Sequence, residues 1–208
     1  MSATTLPALI QRFFTDRLCV QMEASRHTVA GYRDTFRLLL RYASTQRVKP
    51  PVKLMVEDID ADLVADFLAH TETARGNSAR SRNTRLAAIR SFFRYVAMAD
   101  PTWLMHCQRI LAMPNKRYVR RTVTFLDAAE IAALLAAPDR TTWAGRRDHA
   151  LLLLAVQTGL RASELVGLTL GDVVLGSGAH VRCTGKGRKE RAIVDRRARR
   201  ADSIRCGA

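Results

Sequence analysis

The sequence predicts a mainly α-helical protein with one small antiparallel β-sheet. Three observations carry that expectation. Apolar residues recur at helical spacing through the first half of the chain. A basic, proline-containing stretch interrupts the pattern over residues 113–125. Three short strand-like runs, separated by glycine turns, follow near the end.

In chain order, residues 6–22 carry Leu9, Ile10, Phe13, Phe14 and Leu18 at the spacing of one helix face. Glu23-Ala24-Ser25-Arg26 breaks it, and Thr28 is the expected cap of a second helix with Tyr32, Phe36, Leu39, Leu40 and Ala43 inside. Pro50-Pro51 closes that region. Asp58-Ile59-Asp60 opens a third helix bearing Leu63, Val64, Phe67 and Leu68. Gly76-Asn77-Ser78 leads to a fourth, over 79–99, which buries Leu86, Ile89, Phe92, Phe93 and Val96. Four such helices make a bundle of about 100 residues, a common domain size. The expected divisions are a helical domain over 1–112, a linker over 113–125, and a second domain over 126–194. A distinct arginine-rich tail then covers 195–208.

The second half opens on a capping box, Asp127 with Glu130, for a helix ending near Ala137. Residues 146–158 form a strongly apolar helix, expected to be buried on most sides, and Gly159 ends it. A short helix over 162–168 precedes strands at 172–175, 180–184 and 190–194. The turns between the strands are Gly176-Ser177-Gly178 and Gly185-Lys186-Gly187.

Composition narrows the function. The chain has 208 residues, 48% hydrophobic, and a net charge of +15. Such a balance points to a polyanionic partner, most often nucleic acid, although an arginine-rich protein of ribosomal type would share it. Arginine greatly outnumbers lysine, and its planar fork suits a two-point grip on phosphate. The cysteines Cys19, Cys107, Cys183 and Cys206 have neither zinc nor disulfide-framework spacing. With no membrane-length apolar run and no signal peptide, the expectation is a cytoplasmic, nucleoid-associated protein with no membrane partner.

The fourth helix carries Arg80, Arg82, Arg85, Arg90 and Arg94 with no acid between Arg75 and Ala99. A charge run is often just a solvated face. Here the missing acids favour a helix lying on DNA phosphates, with Asn83 and Thr84 available for polar contacts. The candidate DNA contacts are Arg82, Asn83, Arg85 and Arg90 on this helix, and Lys116, Arg117, Arg120 and Arg121 in the linker. Thr28, Tyr32 and Arg33 on the second helix, with Arg188 at the hairpin turn, complete the set.

One constellation carries chemistry. Arg161 directly follows the Gly159 turn, and Glu164 lies three residues on, on the same helix face, where it can orient the guanidinium. Lys186, between two glycines, could donate a proton to a departing alkoxide. The Gly-Lys-Gly turn lacks the spacing of a P-loop.

In this order, Thr158-Gly159-Leu160-Arg161-x-Ser163-Glu164-Leu165, Leu168, Asp172 and Gly185-Lys186-Gly187-x-Lys189-Glu190-Arg191 resemble the tyrosine recombinases, or phage integrase family. Xer-type and transposon-borne integrases are the most similar branch. Ser25, Thr28 and Tyr32, and the helix around Leu86 and Tyr95, resemble the family's helical domain. The resemblance implies a four-helix SAM-like core-binding domain joined to the N-terminal half of a recombinase catalytic domain. It implies a clamp on double-stranded DNA at a recombination site, strand transfer through a 3′-phosphotyrosine, and assembly with a copy of itself or a related recombinase. No metal or nucleotide cofactor is implied. Arg161 would neutralise the non-bridging oxygens, Lys186 would protonate the 5′-oxygen, and Glu164 would support them.

The family places H-x-x-R and the nucleophilic tyrosine after the sheet, and residues 195–208 match neither. Their composition is that expected of a reading frame shifted and soon stopped, so the chain is expected to be truncated and inactive alone. His106-Cys107-Gln108-Arg109 fits H-x-x-R only as a pattern, and Tyr32, Tyr42, Tyr95 and Tyr118 all precede Arg161. Two other functions stay open, a non-enzymatic DNA-binding regulator and a subunit completed in trans.

Overall fold

A computed structural model describes residues 5–119, 122–175, 178–185 and 190–194. The chain divides into two compact units, Met1–Arg121 and Thr122–Ala208. The division falls inside the basic stretch.

In the first unit, α1 (Leu6–Arg12) continues without a break into a π-helix, Phe13–Gln21. Ordinary helical winding is what the sequence predicts here. Phe13 and Leu18 are both fully buried and stand five residues apart, the span of one π-helical hydrogen bond. Helix α2 (Arg26–Arg47) is capped by Ser25 rather than Thr28, with the Ser25 hydroxyl accepting the Thr28 N–H at 3.2 Å. Asp60 caps α3 (Ala61–Arg75), accepting the Leu63 N–H at 2.7 Å, and Gly76 ends the helix at φ 61°. Helix α4 (Ala79–Ala99) has the predicted limits and is capped by Ser78. A further helix, α5 (Leu104–Leu111), adds Cys107 and Ile110 to the core. Phe13 lies at the centre, against Phe14, Tyr32, Phe36, Phe92 and Tyr95. Burial of the Cys107 thiol pushes its pKa up to about 11.

In the second unit, Asp127 and Glu130 form the predicted capping box of α6 (Ala128–Ala136). Thr142 caps α7 (Trp143–Thr158), and Gly159 ends it at φ 65°. Helix α8 spans Ala162–Leu165. Strands β1 (Val173–Val174), β2 (His180–Thr184) and β3 (Glu190–Val194) form an antiparallel sheet in the order β1-β2-β3. Its core is small. Leu160, Val181 and Cys183 are buried, and Leu154, Leu165, Leu168 and Ile193 pack on them. Residues 151–155 of α7 are only half-buried, against the expectation of burial on most sides. Among the described residues the helix packs chiefly on α6 and α8, with Leu154 also on the sheet cluster. Cys19 is exposed, whereas Cys107 and Cys183 are buried.

Candidate nucleic-acid interface and phosphate site

The αL turn at Gly159 releases the chain from α7 and places Arg161 in extended backbone at the start of α8. Glu164 reaches back one turn. Its Oε2 accepts the Arg161 N–H at 2.8 Å, and its Oε1 accepts Arg161 Nη1 at 3.0 Å. Arg191, on β3, donates Nη2 to the same Oε2 at 2.7 Å. One buried carboxylate therefore holds two arginines whose side chains remain 65% and 45% exposed. The Arg161 backbone N–H is the main reason the Glu164 carboxyl lies below its ordinary value. Desolvation opposes it, and the Arg161 hydrogen bond and the two guanidinium charges reinforce it.

The sequence does not announce the part played by Arg191, whose signal is register. Arg191 faces Cys183 across the β2–β3 ladder, and its Nε points to Cys183 Sγ at 3.4 Å. The bond to Cys183, then the Glu164 charge, raise the Arg191 pKa. A groove of about 530 Å³ runs beside this point, lined in part by Asp172, Arg182, Glu190 and Arg191. Arg161 does not line it. Lys186 and Arg188 lie outside the described residues, so of the three predicted catalytic residues the structure joins Arg161 and Glu164.

In the first unit the candidate contacts divide into two sets. Arg82, Arg85 and Arg90 are half-buried and held internally. Arg85 pairs with Asp34 at 3.0 Å, Arg82 approaches Glu72 at 3.8 Å, and Arg90 bonds Asn115 at 3.2 Å. Burial, then the charges of Arg94 and Arg82, lower the Arg90 pKa. Burial alone would raise the Asp34 pKa, but hydrogen bonds from Arg85 and Arg37 outweigh it and hold the carboxyl low. Asn83 and Lys116 are bonded to each other. By contrast Thr28, Arg33, Arg80, Arg94 and Arg117 are exposed. The side chains of the four arginines make no hydrogen bond or ion pair among the described residues. Tyr32 stacks on Phe13 as part of the core face. Arg120 and Arg121 lie outside the described residues.

The other pattern matches have structural partners. His106 bonds the Ile59 carbonyl at 3.0 Å and packs on Phe93 and Trp103, while Arg109 approaches Asp62. Tyr42 packs on Phe67 and His70, and Tyr95 on Phe13. Tyr118 is exposed. No group of three or more His, Cys, Asp or Glu among the described residues could hold a metal, and no helix among them is long and apolar enough to cross a membrane.

Residues 10–99 match the family described as "Phage integrase, N-terminal SAM-like domain", and residues 124–198 match "Phage integrase family". The chain is 42% identical over 189 residues to "Putative integrase/recombinase y4rD" of Sinorhizobium fredii, covering 90% of this chain and 67% of that protein. The chain belongs to the phage integrase family. A second family member from the same organism, "Putative integrase/recombinase y4rC", is 55% identical over 187 residues, which are 90% of this chain and 56% of the relative. The chain thus spans little more than half the length of that relative. The fold is also that of the XerH site-specific recombinase bound to a palindromic difH substrate in a post-cleavage complex. The TM-score is 0.62 at 20% identity, covering 86% of this chain and 52% of that one.

Proposed function

We propose that these 208 residues grip double-stranded DNA at a recombination site and supply the first phosphate-stabilising cation of a tyrosine recombinase. The observation that carries this reading is the Arg161–Glu164–Arg191 cluster. A buried carboxylate fixes Arg161 while its guanidinium head stays exposed, the arrangement needed to meet charge developing on a phosphate. Lys186, two residues beyond the end of β2 in the sequence, is the proposed general acid. Arg33, Arg80, Arg94 and Arg117 are the exposed cations that support a backbone grip. The proposed working site is the cytoplasmic nucleoid, on DNA beside a second copy or a related recombinase.

The proposed role of this chain acting alone is non-covalent. Tyr32, Tyr42 and Tyr95 pack within the helical unit, and all four tyrosines precede Arg161. That favours a second reading, a regulator that occupies recombination sites. The test is a nicked suicide duplex carrying the site, incubated with the purified chain and with R161A. The expected result is a salt-sensitive mobility shift, weakened by R161A, without a covalent adduct. A covalent protein–DNA adduct overturns the non-covalent role, and the absence of any shift overturns the whole reading. Mixing the chain with a full-length relative separates the readings further. Inhibition supports the regulator, and stimulation supports a subunit completed in trans.

A further inference from the structure

We propose that Asn83 is a positioning residue, whose amide fixes where the basic strap after α5 leaves the helical unit and so presents Arg117 to the DNA backbone. The consequence for DNA rests on the function proposed above; the clamp itself does not.

The sequence suggests Asn83 and Lys116 as separate DNA contacts, but the structure joins them. Asn83 Oδ1 accepts the Lys116 N–H at 2.9 Å, and Asn83 Nδ2 donates to the Lys116 carbonyl at 2.8 Å. A side-chain amide thus satisfies both main-chain groups of one residue, as a neighbouring strand would. The flanking side chains are held too. Lys116 Nζ reaches Glu72 on α3 at 2.9 Å, and Arg90 Nη1 reaches Asn115 at 3.2 Å. Beyond this point Arg117, Tyr118 and Val119 are exposed and make no hydrogen bond among the described residues.

Asn83 and Arg90 lie two turns apart on α4, roughly 10 Å along the axis. The consecutive residues Asn115 and Lys116 meet the head of the long Arg90 side chain and the Asn83 amide, so two positions of α4 hold the strap. Because both clamp bonds use the Lys116 backbone, residue 116 can change while residue 83 cannot. The ordering cost of the strap is met in the free protein rather than on binding, which favours affinity without adding a charge.

Cleavage of the full chain by an arginine-specific protease, followed at the Arg117–Tyr118 bond by mass spectrometry, tests the clamp. Local cleavage reports the population of the released strap. N83A should accelerate this cut by on the order of tenfold, the effect of losing two hydrogen bonds. K116A, which keeps the backbone bonds and loses an exposed ion pair, should stay within about twofold of wild type. If N83A loses helicity, N83D carries the test, because it keeps volume and acceptor but removes the donor. Duplex titrations should show N83A binding several-fold more weakly, with an unchanged slope of log K against log salt, since no cation is lost. Wild-type protection in N83A or in a folded N83D overturns the proposal, and so does weaker DNA binding with protection intact, which would make Asn83 a direct contact. If the wild-type chain does not bind DNA, the function fails, and the protease comparison still decides the clamp.

Discussion

In the first unit twenty-one buried hydrophobic residues close around Phe13, Phe36 and Phe92, while in the second Leu160, Val181 and Cys183 form the buried cluster among the described residues. The candidate cations follow the same division. Arg33, Arg80 and Arg94 sit outside a core that is complete without them. Arg161 and Arg191 converge on Glu164, which is itself one of the buried residues of its unit. The phosphate recognition proposed for the first unit is thus separable from folding. In the second, site and scaffold share a residue, and a substitution there acts on both.

The sharpest way to break this comparison is to cut the larger core. F92A should destabilise the first unit by about 3–5 kcal/mol, the usual cost of an aromatic truncation in a packed core. Chemical denaturation followed by resonances of each unit checks it, and the second unit's transition should not move with it. L160A should cost less, about 2–3 kcal/mol, because its half-buried neighbours can close over the gap. Equal losses in the two variants would mean that the second core is as tightly packed as the first.

E164Q should have a smaller effect at neutral pH than either truncation, since both arginine heads already face water. Its signature is pH dependence. The Glu164 carboxyl lies below its ordinary value in the fold, so its contribution is present above about pH 4 and is lost as pH falls through the lowered value. E164Q should reduce the acid sensitivity of the second unit without abolishing it, because Asp139 and Asp172 are also held low by threonine hydrogen bonds. The first unit should keep its acid sensitivity through Asp34 and Asp58. Thermal midpoints between pH 7 and pH 3 read both responses. The smallest effect sharpens the separation of grip from core. S25A should cost about 1 kcal/mol through loss of the α2 cap, measurable as a lowered thermal midpoint with the DNA salt slope intact.

Local chemistry made much of this architecture legible. Ser78 ahead of a regular apolar stripe gives α4 its limits, and Asp127 with Glu130 marks α6 without reference to the rest of the chain. Arg161 and Glu164 were readable together because three residues on a helix always meet. What was not legible depends on residues distant in sequence. The arginines of α4 look uncompensated along the chain, yet Arg85 finds Asp34 and Arg82 finds Glu72 on other helices. Arg191 reaches Glu164 only through the β2–β3 register. The π winding after Arg12 leaves no mark in an apolar pattern that reads as ordinary helix.

The placement of the cysteines turns the contrast between the units into an internal clock. Cys107 lies in the larger core, Cys183 in the smaller, and Cys19 at the surface. Among the cysteines of the described residues, alkylation under native conditions should therefore proceed in three mass-resolved phases, at Cys19 first, then Cys183, then Cys107. The delay of each buried thiol behind Cys19 measures how seldom its own unit opens. DNA that clamps the helical unit would lengthen the Cys107 phase, so one mass-resolved labelling series would time both cores and the ligand in a single sample.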